Sequence, residues 1–505
     1  MRPNRLLSGT MIFLSSLFFM TLHAQMPGAK IGSLDLFSDI GAPEIAGKAS
    51  YSEPSQAYHL SGSGSNIWFG RDSFSFLSKK MNGDFMLQTR VHFIGEGHEL
   101  HRKSGLMIRK STASNSTVVA CTVHGDGLTS LQYRIAPGDT MKEIKFAIKG
   151  PDVLQLEKKG SAYTMSVAHF GEVFEVQKIE NIDLGADLLA GLFICSHNNK
   201  FSEEAEFNNT RVFNTAPGDL VQYKTYLGSL LEVMEVANGH RTVLAGAEGS
   251  WQAPNWTPDG KTLIYNSSGK LYNFDLATRE STVLNTDFVT KNNNDHVLTF
   301  DGKQLGISSS AEENKGQSVV YSVPVTGGIP KKITTESPSY FHGWSPDSRF
   351  MLYTGQRNGD FDIYKISKDG GNEIRLTDAK GLDDGSEYSP DGKFIYFCST
   401  RTGTMQVWRM DPDGKNQTQL TFDSLNNWFP HVSPDNKWLV FITFPKEVPA
   451  DSHPFYQRVY LRMMPVGGGE VKVIGYLYGG QGTINVPSWS PDSKKIAFVS
   501  NGNFN

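Results

Sequence analysis

Four residues of types that commonly bind metals occupy similar places in a repeated sequence pattern in the second half of the chain. His296 and His342 each precede the aspartate of the pattern by five residues, while Glu387 and His431 precede it by four. Imidazole and carboxylate groups are ligands of divalent transition metals. If the four side chains converge, they can hold such a metal. The alternative is a set of hydrogen-bonded histidines around ordered water, because His431 is one place out of phase with the other two histidines.

A second group of polar and aromatic residues lies in the first half of the chain. Alternation along a strand places Arg109 opposite Ile108 and Arg134 opposite Tyr133, so polar side chains gather on one face of a sheet. We interpret them as a concave patch of donors that binds a glycan, with an aromatic ring available to stack on a sugar. The alternative is a solvated face on which the arginines pair with neighbouring acids. The candidate residues are Trp68, His101, Arg102, Lys103, Arg109, His124, Asp126, Gln132, Arg134, His197 and Asn198.

The elements that must position the first group are strands of a repeat. A short phrase occurs six times and contains one aspartate each time: Asp259, Asp301, Asp347, Asp391, Asp435 and Asp492. Consecutive aspartates are separated by 42, 46, 44, 44 and 57 residues. A period of this length suits four short strands and their turns, which make one blade of a β-propeller. Within phrases such as WSPDS, proline and aspartate favour a tight turn. We therefore interpret these aspartates as turn formers, since a catalytic residue would not recur in every blade.

The sixth phrase has no hairpin after it, because the sequence ends at Asn505. A hairpin with the turn Asn238-Gly239, at residues 230–244, precedes the first phrase instead. Pairing this hairpin with the strands near the C-terminus would complete six blades and remove the exposed edges of an open sheet. The sequence thus predicts a closed six-bladed propeller over residues 228–505.

The SPDG-type phrases resemble the repeats of TolB-like propellers. That resemblance implies a six-bladed fold, but its members include periplasmic partners of envelope complexes, gating domains of prolyl oligopeptidase-like enzymes and oligogalacturonate lyases, in which histidines hold a metal that acidifies a uronate carbon. The chain lacks the small α/β domain that precedes the TolB propeller. It also has no G-x-S-x-G nucleophile motif.

Residues 31–214 consist of short alternating segments separated by Gly and Ser turns, with no helical period. This pattern predicts an antiparallel β-sandwich. The order of segments such as DFMLQTRVHF, GLMIR and GLFICSHN resembles concanavalin-like sandwich modules of exported bacterial proteins, a family without an agreed activity. The resemblance implies an all-β chain in which a lectin-like sandwich precedes the propeller.

The chain begins with two arginines, an apolar run and Leu22-His23-Ala24, which together predict a cleavable signal peptide at residues 1–24. We therefore expect a periplasmic, secreted or cell-surface protein. Its three cysteines, Cys121, Cys195 and Cys398, do not form a disulfide framework. We expect buried thiols, and the alternative is a disulfide between Cys121 and Cys195. The net charge of −4 argues against a nucleic-acid partner. A propeller with two domains is compatible with a monomer.

Three functions remain open at this point. The first is a non-catalytic binding protein, whose sandwich engages a glycan and whose propeller binds an envelope protein or peptide, without a cofactor. The second is a glycan-active enzyme, either a lyase or a hydrolase assisted by a metal in the propeller channel. A glycosidase in the sandwich would need two facing carboxylates, and the acids there form no paired motif. The third is an envelope-assembly role like that of TolB.

Overall fold

The computed structural model describes residues 30–357 and 359–503, so the predicted signal peptide lies outside the described residues. The described chain folds into 37 strands, numbered here in chain order, and one 3-10 helix at Glu312–Asn314. Within these residues, no helix is long and apolar enough to span a membrane. The predicted all-β class is confirmed.

The N-terminal strands form two antiparallel seven-stranded sheets. The first sheet has the order β1-β4-β13-β6-β7-β8-β9, formed by Leu36–Ile40, Phe74–Met81, Leu188–Cys195, Lys103–Arg109, Val118–His124, Thr129–Arg134 and Lys142–Lys145. The second sheet has the order β12-β11-β10-β5-β14-β3-β2, formed by Glu175–Ile179, Ala162–Ala168, Val153–Lys159, Phe85–Ile94, Glu203–Asn214, Ala57–Gly62 and Lys48–Ser52.

One hydrophobic core joins the facing sides of these sheets. Leu106, Cys121 and Leu131 of the first sheet belong to the same buried cluster as Leu87 and Leu154 of the second. Successive strand residues point to opposite faces, so this side of each sheet is apolar at every other position. The predicted β-sandwich is therefore confirmed. Within the described residues all three cysteines are free and buried.

The C-terminal strands form six blades. Five are four-stranded and are listed here from the inner to the outer strand: β17–β20 at Gln252–Trp256, Thr262–Ser267, Lys270–Asp275 and Ser281–Leu284; β21–β24 at Asn292–Leu298, Gln304–Ser310, Ser318–Pro324 and Lys331–Lys332; β25–β28 at Ser339–Trp344, Phe350–Gln356, Phe361–Ser367 and Ile374–Arg375; β29–β32 at Asp383–Tyr388, Ile395–Ser399, Gln406–Met410 and Thr418–Gln419; and β33–β36 at Asn426–Val432, Trp438–Phe444, Gln457–Pro465 and Lys472–Gly479.

The sixth blade is assembled from both ends of the propeller sequence. The early strand β15 (Ser229–Glu235) lies between its hairpin partner β16 (Arg241–Ala247) and the last strand, β37 (Lys495–Asn501), and pairs with both. A single bridge between Trp489 and Ile496 adds the inner segment. The early hairpin thus closes the ring, and the predicted six-bladed propeller is confirmed.

The repeated aspartates act locally in the turns. Asp347 accepts hydrogen bonds from the Ser345 hydroxyl, at 2.6 Å, and from the Arg349 backbone N–H, at 3.1 Å. Asp435 and Asp492 make the equivalent contacts. Such Asx contacts satisfy backbone donors that the turn would otherwise leave unpaired.

A buried carboxylate lies where the ring closes and the sandwich meets the propeller. Glu232 of β15 is fully buried and contacts Arg241 of the same hairpin at 2.5 Å and Arg211 of the sandwich strand β14 at 2.6 Å. The hydroxyl of Ser500, on the last strand, donates to the same carboxylate. One side chain therefore links the first strand of the ring, its last strand and the sandwich.

The rest of this interface combines aromatic packing with backbone hydrogen bonds. Met86 and Phe213 of the sandwich share a buried cluster with Tyr456 and Tyr478 of the fifth blade. Gln88 donates from its side-chain amide to the Tyr476 carbonyl at 2.7 Å. The two parts are thus held by specific contacts in addition to the connecting chain.

Replacing Glu232 with Gln should destabilise the protein strongly. Burial by itself raises the pKa of Glu232, but the two guanidiniums outweigh burial and lower that pKa to about 2. Loss of the negative charge leaves two buried arginines uncompensated, for which we expect a loss of about 3–5 kcal/mol in unfolding free energy. Urea denaturation at pH 7 measures the change.

The pH dependence provides a second readout of the same contact. The ordinary glutamate pKa of 4.5 is lowered in the folded state. The contribution of ionised Glu232 to the free energy of unfolding is therefore complete above pH 4.5 and is lost as the pH falls towards 2. Glu235→Gln, on the exposed side of the same strand, is the control. Equal stability of the two variants at pH 7 would contradict this role for Glu232.

Candidate functional site

The inner strands of the first five blades share an irregularity beside the channel. In each strand the register shifts partway along, and the shifts lie between Gln252 and Asn255, Asn292 and His296, Phe341 and Gly343, Asp384 and Glu387, and Trp428 and His431. A bulge interrupts the simple alternation of side chains and redirects those beside it. The five bulges therefore decide which residues of the inner strands come together.

A cluster of titratable groups is built on these strands. His342 Nε2 lies 2.8 Å from Asp384 Oδ1, which also accepts the Thr354 hydroxyl at 2.7 Å. Asp295, on the neighbouring blade, is 6% exposed and accepts a hydrogen bond from the Asn293 side chain at 2.8 Å. Both carboxylates interact electrostatically with the His342 imidazole.

His453 extends the cluster to the loop that follows β34. Its ring centroid lies 5.3 Å from that of Phe429, whose ring lies 6.0 Å from His342. Phe429 adopts a left-handed backbone with φ of 53°, which is strained for a bulky residue. The chain thus holds an aromatic ring between two imidazoles at a cost in backbone energy.

The charges in this cluster do not cancel. Burial raises the pKa of Asp295 to about 6 despite the nearby His342. Burial disfavours the charge of Asp384 too, but His342 outweighs it and lowers the Asp384 pKa to about 2. Burial lowers the pKa of His342, whereas Asp384 and Asp295 raise it, with a net upward shift. Both carboxylates are therefore ionised at neutral pH, whereas His342 supplies at most one positive charge, so the three groups together carry excess negative charge, which favours a cationic ligand group.

Among the described residues, the four predicted metal ligands of the channel do not form a group that could hold a metal ion. His296 is fully buried, with Nε2 3.2 Å from the Ile264 carbonyl. His431 Nδ1 lies 2.7 Å from Glu387, which also accepts the Val432 N–H. His342 instead pairs with Asp384. Glu387 and His431 therefore bind one blade to the next, and they are separate from the His342 cluster.

Asp295, Asp384 and His453 are not among the residues that the repeat pattern predicts for the channel. Asp295 immediately precedes His296, and Asp384 lies in the segment Asp383-Asp384-Gly385. Acids placed beside a predicted inner strand were the available signal. We instead counted residues back from the turn and assumed a regular strand through the bulge.

The predicted sandwich residues fall into two environments. Arg109 and Arg134 are buried, and both contact Asp72, at 3.5 and 2.8 Å respectively. Arg134 also donates to the Ser116 carbonyl at 3.1 Å. The pairing with an acid is the one that the alternative interpretation describes, but the solvated face that it also expected is wrong, because both guanidiniums are buried.

Other predicted residues gather where the central strands β13, β6 and β7 end on one side of the first sheet. This rim of strand ends and turns is called here the polar edge. The ligand atoms of His101, His124 and Asp126 all lie within 4.8 Å of one another. The ring of His197 lies 5.6 Å from that of His101. Burial, followed by the charge of Lys103, lowers the pKa of His124 to about 3. The imidazole of His124 is therefore neutral at pH 7, and its Nδ1 has no hydrogen-bond partner.

The remaining predicted residues surround this edge. Gln132 lies 3.2 Å from His124 Nε2. Arg102 pairs with Glu203 at 2.6 Å, and Asn198 donates to Glu99 at 3.0 Å. The half-buried Trp68 packs on a small apolar cluster, with the Lys103 ammonium 5.6 Å from its ring. The edge is thus polar and largely pre-organised.

The fold and the channel define a six-bladed propeller protein, and comparison with known proteins identifies its family. The model of the TolB beta propeller domain matches residues 340–451. An uncharacterised protein of Agrobacterium fabrum is 41% identical over 287 residues, which cover 57% of this chain and 94% of that protein. The chain therefore belongs to the TolB-like β-propeller family.

One solved structure agrees with this assignment, and a second is similar at lower identity. A structure from Agrobacterium tumefaciens that was provisionally assigned as TolB is 41% identical, with a TM-score of 0.53, and the match covers 55% of this chain and 99% of that one. TolB from Acinetobacter baumannii is 17% identical with a TM-score of 0.40, covering 65% of this chain and 79% of that one. The 17% likeness concerns the fold alone.

Replacing Asp295 with Asn should stabilise the protein at neutral pH. The ordinary aspartate pKa of 3.8 is raised to about 6 in the folded state, so folding disfavours the ionised form. This cost is complete above pH 6 and absent below pH 3.8. We expect the free energy of unfolding of the variant to exceed that of the wild type by about 1–3 kcal/mol at pH 7.5. Below pH 3.8 the two proteins should be equally stable. Thermal unfolding at several pH values measures the difference.

Asp287→Asn provides the matched control, since Asp287 is exposed in the same part of the propeller and its left-handed backbone tolerates Asn. The titratable groups that interact electrostatically with Asp295 are His342, Asp384, Tyr223 and Tyr340. A melting temperature for the Asp295 variant below that of the wild type at pH 7.5 would contradict the prediction.

Proposed function

We propose that this protein is an exported, non-catalytic binding protein whose propeller channel receives a cationic group of a protein or peptide partner. The observation that carries the proposal is the excess negative charge of Asp295, Asp384 and His342 at neutral pH. An amino or guanidinium group would neutralise this charge. The predicted signal peptide supports export, and membership of the TolB-like family supports a role in the cell envelope.

The energetics of the cluster also support binding. A buried carboxylate whose pKa is raised costs stability, and such costs concentrate at functional sites. The strained Phe429 adds a second cost beside the same imidazoles. The inner strands are fixed by their blades, so little reorganisation is needed when a partner binds.

The metal-assisted lyase alternative depends on four ligands that converge in the channel. The three histidines contact different groups, His296 the Ile264 carbonyl, His342 Asp384 and His431 Glu387. These separate contacts support the binding role over a shared metal.

Glycan binding by the sandwich is the second part of the proposal. The polar edge that contains His101, Asp126 and Asn198 lies beside the exposed Leu100, which is 71% exposed. Polar groups next to an exposed apolar side chain suit a sugar, which presents hydroxyls and an apolar face.

The charge proposal predicts a preference for free amino groups. A library of short peptides, with and without lysine, is synthesised with free and with acetylated N-termini and titrated at pH 7.5. We expect peptides with a free N-terminus or a lysine to bind selectively. Asp295→Asn should lower the affinity for these peptides about tenfold, or by about 1.4 kcal/mol. Asp287→Asn should bind like the wild type. Equal binding of amine-containing and amine-free peptides would overturn the proposal.

The glycan proposal is tested separately on an array of bacterial and plant polysaccharides. Wild-type protein should bind a subset of the array, and His101→Ala should lose that binding because the His101 side chain is 57% exposed at the polar edge. His59→Ala, which alters an exposed histidine on the second sheet, should retain it. Binding that survives in the His101 variant would place the glycan site elsewhere.

A further inference from the structure

The polar edge of the first sheet collects three histidines and an aspartate from separate parts of the sequence. His101 precedes β6, His124 ends β7, Asp126 lies in the next turn, and His197 follows β13. Lys103 pairs in register with both His124 and Cys195, which brings these segments side by side. The antiparallel order of the sheet therefore creates the cluster.

Three of these side chains already approach metal-binding geometry. The ligand atoms of His101, His124 and Asp126 lie within 4.8 Å of one another, and His101 Nδ1 is 3.9 Å from Asp126 Oδ2. Zinc binds nitrogen and oxygen at roughly 2.0–2.2 Å, so the ligand atoms must close by about 1 Å. The exposed His101 side chain can make that adjustment by rotation.

Unpartnered nitrogen atoms provide an independent observation. His124 is 94% buried, since its exposed fraction is 6%, and its Nδ1 has no hydrogen-bond partner. The Nδ1 atom of His197 is also buried without a partner. A buried polar atom without a partner carries a free-energy cost, which coordination to a metal removes.

Neighbouring groups hold the ligands in place. Asp126 Oδ1 accepts the Leu128 N–H at 3.0 Å, which leaves Oδ2 to face His101. Gln132 Nε2 lies 3.2 Å from His124 Nε2 and donates to the Ser130 hydroxyl at 3.0 Å. Metal binding through His124 Nδ1 requires the Gln132 amide to turn, so that its oxygen accepts the Nε2–H of His124. Such contacts orient metal ligands in known sites.

The nearby positive charge of Lys103 acts against a cation. Its ammonium group is, however, engaged by the Asn66 side chain at 2.8 Å and the Ile67 carbonyl at 3.2 Å. The Asp126 carboxylate supplies the negative charge at the cluster itself. Magnesium and calcium prefer oxygen ligands, whereas a set dominated by imidazole suits zinc.

We propose that His101, His124 and Asp126 bind a divalent transition metal, best matched by Zn²⁺, and that His197 completes the coordination. The site lies in the sandwich, remote in sequence from the channel residues in which the sequence predicted a metal. It is independent of the partner-binding role of the propeller but shares the polar edge with the proposed glycan site, so zinc binding is measured in the absence of glycan. Its function would be to tie three segments at the polar edge of the first sheet.

The test uses the full chain after chelation and dialysis, with Zn²⁺ titrated by calorimetry and Co²⁺ followed by absorption spectroscopy. We expect one equivalent to bind, with a tetrahedral cobalt spectrum and a higher melting temperature. His101→Ala and Asp126→Asn should each lose at least about tenfold in affinity. Both positions are exposed, so these variants should fold like the wild type, which circular dichroism checks.

His59→Ala is the matched control. His59 is an exposed histidine 2.9 Å from Glu206, in a second group of histidines and a carboxylate on the other sheet. Its variant should bind zinc like the wild type. The proposal is overturned if the chelated protein binds no zinc, if both edge variants retain wild-type affinity, or if binding is lost in His59→Ala instead.

Discussion

The architecture depends on the buried carboxylate of Glu232. It is paired with Arg241 of the closing hairpin and Arg211 of the sandwich, and it accepts a hydrogen bond from Ser500 of the last strand. Removing such charges from water is compensated only when every partner is in place. The same contact therefore favours the closed ring and the docked sandwich together. Neither half of the interface satisfies this carboxylate alone.

A closed ring provides the rigid frame that the channel requires. Bulges at equivalent places in five inner strands redirect side chains, and the resulting cluster contains the ion pair of His342 with Asp384 and the costly carboxylate of Asp295. Hydrogen-bonded blades hold these groups close to one another although their charges do not cancel. The uncompensated charge of this site therefore lowers the stability of the folded propeller.

The sandwich separates two uses of polar residues on one sheet. Arg109 and Arg134 are buried around Asp72 and stabilise the packing of the covered face. His101 and Asp126 instead lie at the exposed edge, where strand ends and turns meet. Strand alternation alone treats these residues as one patch, because it reports the face of a side chain and not what covers that face. The loop that contains Trp68 and Asp72 supplies the carboxylate that pairs with both arginines, whereas His101 and Asp126 lie at the exposed strand ends.

The all-β class, the sandwich, the six repeats and the hairpin that closes the ring can all be predicted from the order of residues, because strand alternation and turn chemistry are local and repeat along the chain. Which polar residues meet depends instead on how distant strands pack. His342 contacts Asp384, and Arg134 contacts Asp72, across long stretches of sequence. Bulges also broke the alternation from which the channel ligands were predicted. Long-range pairing and local register shifts leave little trace in the spacing of residues, since both arise when separate strands pack together.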